Sequence, residues 1–142
     1  TQAMSSAASD VYKRQEDTDA GGVVYYANYL KFIERARTEA LSKIGLSNTH
    51  IKNKFGALII VKSCNIEYKK SAHLEDELNI VSHIISLKKT SLIMKQLIMH
   101  DKELITEAEI HLVFVNSEGK PEKIPDEIIE NFMPYVKNEI KI

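Results

Sequence analysis

The chain has 142 residues, 44% of them hydrophobic and 27% charged, with a formal net charge of -1. That length suits one ordinary domain able to bury a core without staples, and the composition excludes a disordered chain. Lys and Arg are spread along the sequence without a basic stripe, so nucleic acid is not an expected partner, and the single cysteine, Cys64, excludes an internal disulfide.

A lone cysteine suits a reducing compartment, and the cytoplasm is the expected location. The longest clean apolar run, Ala57 to Val61, is far shorter than the ~18 residues of a spanning helix. No integral membrane segment is expected, and the start of the chain lacks the charged and apolar regions of a signal peptide.

Residues 1–15 are small and polar, with Val11 and Tyr12 as anchors. They permit at most one short edge strand, and the reading is a poorly ordered or atypical first strand ahead of a single domain at 16–142. Glu16-Asp17-Thr18-Asp19-Ala20-Gly21-Gly22 is a turn rich in carboxylates, and Asn28 is the expected N-cap of the helix that follows. From Tyr29, apolar residues recur at Ile33, Ala36 and Ala40, which predicts a helix with one buried stripe, capped by Gly45.

A polar link then leads to four strands. Phe55 to Tyr68 is rich in Ile, Val and Tyr, with Lys62, Cys64, Ile66 and Tyr68 alternating against Ser63, Asn65 and Glu67. Glu77 to Leu87, Ser91 to His100 and Leu104 to Val115 follow, joined by three-residue links that demand antiparallel hairpins. In the last run Leu104, Thr106, Ala108, Ile110, Leu112 and Phe114 are expected to share a face opposite Glu107, Glu109 and His111. Pro125 opens a closing helix carrying Ile128, Ile129, Phe132 and Tyr135. Segregated helices and strands indicate an α+β fold.

The start of a helix offers unpaired N–H groups and the positive end of a dipole, which polarise a carbonyl oxygen or hold an oxyanion. A carboxylate beside it can attack or activate water, although acidic residues before a helix also serve merely to complement the dipole. The string running from Glu16-Asp-Thr-Asp-Ala-Gly-Gly-Val-Val-Tyr-Tyr through Asn28-Tyr-Leu-Lys-Phe-Ile-Glu-Arg-Ala-Arg-Thr-Glu39 closely resembles the signature of hotdog-fold acyl-CoA thioesterases. The likeness is to the 4-hydroxybenzoyl-CoA thioesterase type, most closely its Tol-Pal-associated branch, and it continues through Glu67-Tyr68 to the link at 121–125.

The resemblance implies a long helix wrapped by a curved antiparallel sheet. It implies hydrolysis of acyl-CoA by Asp19 as nucleophile or general base, with no metal or cofactor, and with the backbone N–H of Tyr26 polarising the thioester carbonyl. Gly22 lets the backbone approach the ligand, Asp17 orders the loop, and Tyr25 is a further substrate contact. Many relatives of this branch carry a histidine at position 26, so only the backbone role transfers. The segment before Glu16 lacks the alternating apolar strand of relatives, which implies a looser loop and lower activity. Subunits of this type pair into dimers or tetramers. The alternative is a non-catalytic module that binds acyl-CoA or an acyl carrier protein; a dehydratase is a weaker third.

Other groups carry less. The five histidines show no ligand spacing, and Cys64 among apolar neighbours reads as a buried inert thiol. Lys62, Lys88 and Lys89 are candidates for the phosphates of coenzyme A, since phosphates want cationic donors at a surface groove.

Overall fold

The computed structural model describes residues 4–8, 26–70 and 78–137, with side chains described from Asn28 onward. Its elements are strand β1 (Met4–Ala8), helix α1 (Tyr26–Lys43), helix α2 (Asn48–Phe55), strands β2 (Ala57–Tyr68), β3 (Leu78–Leu87), β4 (Ser91–His100) and β5 (Glu103–Asn116), and helix α3 (Asp126–Phe132). A 3-10 turn at Met133–Tyr135 follows α3.

The strands form one five-stranded sheet in the order β1-β3-β4-β5-β2, and every pair in it is antiparallel. β1 and β2 are its edges, so the short edge strand that the first fifteen residues permit is Met4–Ala8, paired with β3.

α1 lies against one face of this sheet. Its buried apolar residues are Tyr29, Phe32, Ile33, Ala36 and Ala40, a stripe spaced by three and four. Four of them come from the expected period, and Phe32 adds the ring that meets Tyr29 edge to face at 6.1 Å. Burying each large side chain contributes about 1.5–3 kcal/mol. Across the sheet, hydrogen-bonded neighbours turn their side chains to the same side. The rows Ile80–Ile98–Thr106–Tyr68, Ser82–Gln96–Ala108–Ile66 and Ile84–Met94–Ile110–Cys64 therefore run beneath α1.

α1 begins at Tyr26, so Asn28 is not its N-cap but its third residue, 95% buried at 5% exposure. The side-chain preference of Asn for caps yields to the tertiary position. At the other end Gly45 takes a φ of 81°, with Leu46 N–H donating to Leu41 C=O at 2.8 Å and Gly45 N–H to Ser42 C=O at 3.0 Å. These are the two bonds of a Schellman motif.

The link after Gly45 is not simply polar coil, because it folds into α2. Ser47 in extended conformation caps it, its hydroxyl accepting from His50 N–H at 3.2 Å, and Gly56 ends it at φ 65°. Ile51 is the anchor, fully buried. Eight residues with one buried apolar side chain give too little periodicity to be seen in the sequence. Ser47→Ala is expected to lower stability by about 1 kcal/mol in urea denaturation, because one amide loses its acceptor.

β2 accordingly starts at Ala57 instead of Phe55. The closing helix is shorter than expected: α3 stops at Phe132, and Pro134 converts the next turn to 3-10, which carries Tyr135. The segment is tied back to the sheet by Lys137 N–H to Ile84 C=O at 2.7 Å.

Candidate active site

Asp17, Asp19, Gly22 and Tyr25 lie outside the described residues, as does the side chain of Tyr26. The backbone of Tyr26 is the first residue of α1, and the N–H groups of a first turn have no partner inside their helix. No acidic residue stands within that first turn, so its positive end faces whatever precedes it.

The described surroundings of this helix start are aromatic and polar. The Tyr29 ring, fully buried, packs at 5.7 Å against Tyr68 at the end of β2. Tyr68 is 41% exposed, and partial burial raises the pKa of its hydroxyl. Its neighbour across the ladder is Thr106. Thr106 is fully buried, and its Oγ1 has no hydrogen-bond partner among the described residues. A stranded hydroxyl of this kind costs about 1–3 kcal/mol.

Thr106 follows a bulge in β5, where the pairing with β4 shifts between Ile98 and Met99. The extra residue is Ile105, so Leu104 pairs with Met99 and does not continue the face of Thr106 as the alternation led one to expect; the Ile105 carbonyl accepts from both Lys69 N–H at 2.8 Å and Lys70 N–H at 3.1 Å.

Along α1, one polar cluster interrupts the apolar interface. Gln96 on β4 is fully buried, and its amide donates to Ile33 C=O and to Ser82 Oγ, both at 3.0 Å. Its carbonyl accepts from Arg37 Nη1 at 3.1 Å. Burial lowers the Arg37 pKa, with Glu34 and then Cys64 acting in the opposite sense. A guanidinium nonetheless stays charged.

Arg37 also lines a groove of about 320 Å³ between α1 and the edge strand β2, walled by Leu30, Ile33, Val61, Cys64 and Ile110. Cys64 is exposed, not buried as its apolar neighbours suggested. From Cys64 onward the expected alternation holds, since Cys64 pairs in a row with Ile110, whereas Lys62 drops out of it at the bulge. An edge strand, however, has a neighbour on one side only, so its inner face stays open there.

Partial desolvation in the groove raises the Cys64 pKa, with Arg37 opposing. A raised pKa leaves less thiolate at neutral pH. Cys64 is therefore expected to react with a disulfide reagent more slowly than a free cysteine at pH 7, the difference shrinking as the pH rises.

Lys62 and the Lys88–Lys89 pair are not at the helix start. Pairing of β2 with β5 shifts between Val61 and Ser63, which leaves Lys62 in a bulge on the exposed edge. Lys88 and Lys89 occupy the β3–β4 turn, at the opposite end of the sheet from Tyr68. Six residues of β4 separate the two rows, about 20 Å at the usual strand rise. There they join Lys123 on a groove of about 550 Å³ with Ile124, Ile129 and Met133 among its apolar walls.

Residue-by-residue reading of the sequence singled out neither Gln96 nor Thr106 as functional. The available signal was a polar residue on an otherwise apolar stripe, which occurs at both positions.

A curved antiparallel sheet wrapped on one long helix, with that helix starting at the carboxylate-rich segment, defines a hotdog protein. The sequence profile of the Thioesterase-like superfamily matches residues 14–132. The Acyl-CoA thioester hydrolase YbgC of Escherichia coli O6:H1 is 40% identical over 119 residues, covering 82% of this chain and 88% of that protein. The Acyl-CoA thioesterase YbgC of Haemophilus influenzae is 33% identical, covering 80% of this chain and 84% of its own. The solved structure of a probable thioesterase from Bartonella henselae superposes with a TM-score of 0.78 at 30% identity, over 87% of this chain and 100% of that one. The chain belongs to this family of hotdog thioesterases.

Proposed function

We propose that the protein hydrolyses acyl-CoA thioesters to a carboxylic acid and free coenzyme A. Asp19 acts as nucleophile or general base, and the Tyr26 backbone N–H polarises the thioester carbonyl. The reaction needs no metal in this reading, because a carboxylate and an oriented amide supply both attack and charge stabilisation.

The observation that carries the proposal is the position of Tyr26 as the first residue of α1, seven residues after Asp19 in a string that resembles the acyl-CoA thioesterase signature. Gly22, Asp17 and Tyr25 line the approach in this reading. The apolar groove beside Leu30 and Val61 suits an acyl chain. Lys62, Lys88 and Lys89 remain the candidates for coenzyme A phosphates. The separation of Lys88 and Lys89 from the Tyr68 row, about 20 Å along β4, suits a long ligand, or a site shared between subunits.

A dimer or tetramer is part of the proposal. Among the described residues β2 has an open ladder edge, with Ile60 42% and Val61 48% exposed, beside Leu30 at 45%. Such an edge calls for pairing or cover. A cytoplasmic setting is likewise proposed, on the free thiol and the family's substrate class; an acyl carrier protein is an alternative acyl donor. No helix among the described residues is long and apolar enough to cross a membrane.

The test is a panel of acyl-CoA esters of increasing length, with thiol release followed spectrophotometrically. Turnover of at least one ester is expected. Tight binding without turnover across the whole panel would overturn hydrolysis in favour of a binding module.

A further inference from the structure

Arg37 carries a charge that the proposed reaction leaves unused. On α1, Leu30, Ile33, Glu34 and Arg37 are spaced by three and four and together line the groove beside β2, with Val61 and Ile110 on its sheet side. Arg37 is half-buried there, and among the described residues its guanidinium makes one hydrogen bond, to the Gln96 carbonyl at 3.1 Å. A guanidinium holds five donors in a rigid fork, and a partly desolvated charge calls for an opposite one. Glu34 acts on it through space, but from an exposed position one turn earlier on the helix.

Apart from Glu34 and Cys64 the walls of this groove are apolar, so a group that meets the guanidinium arrives there on a hydrocarbon stem. The Gln96 amide that accepts from Arg37 also donates to Ile33 C=O at 3.0 Å, which sets the head of Arg37 near the level of Ile33. Ile33 lies about 10 Å along the helix axis from Tyr26. An acyl chain with its carbonyl at Tyr26 N–H, running past Leu30, covers that distance with on the order of eight carbons at ordinary bond lengths. Arg37 and Val61 also border a second groove of about 360 Å³ that leads on toward Leu41 and Leu46. The guanidinium therefore stands midway along the path. A plain chain passes it, and only a chain that ends in an acceptor gains from it.

We propose that Arg37 is a specificity-determining residue that binds a carboxylate at the far end of the acyl group, about eight carbons from the thioester. The preferred substrates are then coenzyme A thioesters of medium-length dicarboxylic acids. The inference rests on the acyl-CoA hydrolysis proposed above. A carboxylate accepts two parallel N–H bonds from a guanidinium fork, a pairing that a methyl end cannot make and that lysine makes only as a point charge.

The experiment compares kcat/KM for octanoyl-CoA and suberoyl-CoA, its counterpart with a terminal carboxylate, and for the matching six- and ten-carbon pairs. The proteins are the wild type, Arg37→Met, Arg37→Lys and Glu34→Gln, with thermal denaturation of each. The wild type is expected to prefer the carboxylated ester by about tenfold or more at one length, the factor of a hydrogen bond to a charged group. Arg37→Met should bring that ratio to one or below, and Arg37→Lys should keep part of it. Glu34→Gln removes a competing charge at an exposed position and should raise the ratio. An equal ratio in wild type and Arg37→Met, or no preference at any length in the wild type, overturns the proposal. If Arg37→Met does not fold, an unchanged ratio in Glu34→Gln overturns it instead. Absence of turnover with all six esters in the wild type overturns acyl-CoA hydrolysis itself, and this inference with it.

Discussion

Asp19→Asn is expected to reduce kcat by roughly 100- to 10,000-fold, the range that a positioned acid or base contributes. The substitution keeps the size and polarity of the side chain but removes the charge and the lone-pair basicity needed to attack a thioester or to deprotonate water. KM should move little, because binding energy for coenzyme A comes from contacts remote from the reacting carbon. The measurement is steady-state hydrolysis of the best ester from the chain-length panel, with circular dichroism to establish that the variant is folded. Undiminished turnover would remove Asp19 from the mechanism, and the remaining carboxylates of the same turn, Glu16 and Asp17, would become the groups to test.

The second large effect is expected at Gln96. Its amide spans α1, β3 and Arg37 through three hydrogen bonds of 3.0–3.1 Å inside an otherwise apolar interface. Gln96→Leu fills much of the same volume but strands the Ser82 hydroxyl, which is 1% exposed, and removes the described acceptor of Arg37. Losing a bond to a charged group is worth about 1.5–3 kcal/mol, and orphaning a buried hydroxyl adds to it, so a total loss near 3 kcal/mol is expected in urea denaturation. Because Ile33 lies two turns from Tyr26 on the same helix, the variant should also lose kcat. A displacement of about 1 Å at a reacting group costs on the order of a hundredfold. Gln96→Glu, which keeps an acceptor for Arg37, should recover part of the stability. A Gln96→Leu protein as stable as the wild type would show that packing, not this network, holds α1 in place.

Two kinds of residue separate what was legible along the chain from what was not. The stripe of Tyr29, Ile33, Ala36 and Ala40 was legible because a helix repeats its buried face every three or four positions, and all four are buried. The hairpins β3–β4 and β4–β5 were legible because their links are too short for any other connection. α2 was not: its stability comes from Ser47, Gly56 and one anchor, Ile51, and caps without a periodic face resemble an ordinary polar link. Asn28 misled for the converse reason. Its side chain suits a cap, but the helix began earlier and buried it.

For the site, the linear string from Glu16 to Glu39 is what proposes Asp19 and Tyr26 as candidates, since both belong to one local segment that needs no distant partner to be recognised. By itself the sequence determined the α+β class, the long helix, the β3–β4–β5 part of the antiparallel meander and the thioesterase resemblance, all of which depend on local period, link length and contiguous motif; the fourth strand, β2, pairs with β5 and not with β3. Only the tertiary structure decided that Cys64 is open to solvent at a sheet edge, that Lys88 and Lys89 stand at the opposite end of the sheet from Tyr68, and that Ser82, Gln96 and Thr106 are buried polar groups beneath α1. Those features depend on strand order and bulges. Pairing across the sheet sets them, and no local stretch of residues encodes which strand becomes an edge or which row passes beneath the helix.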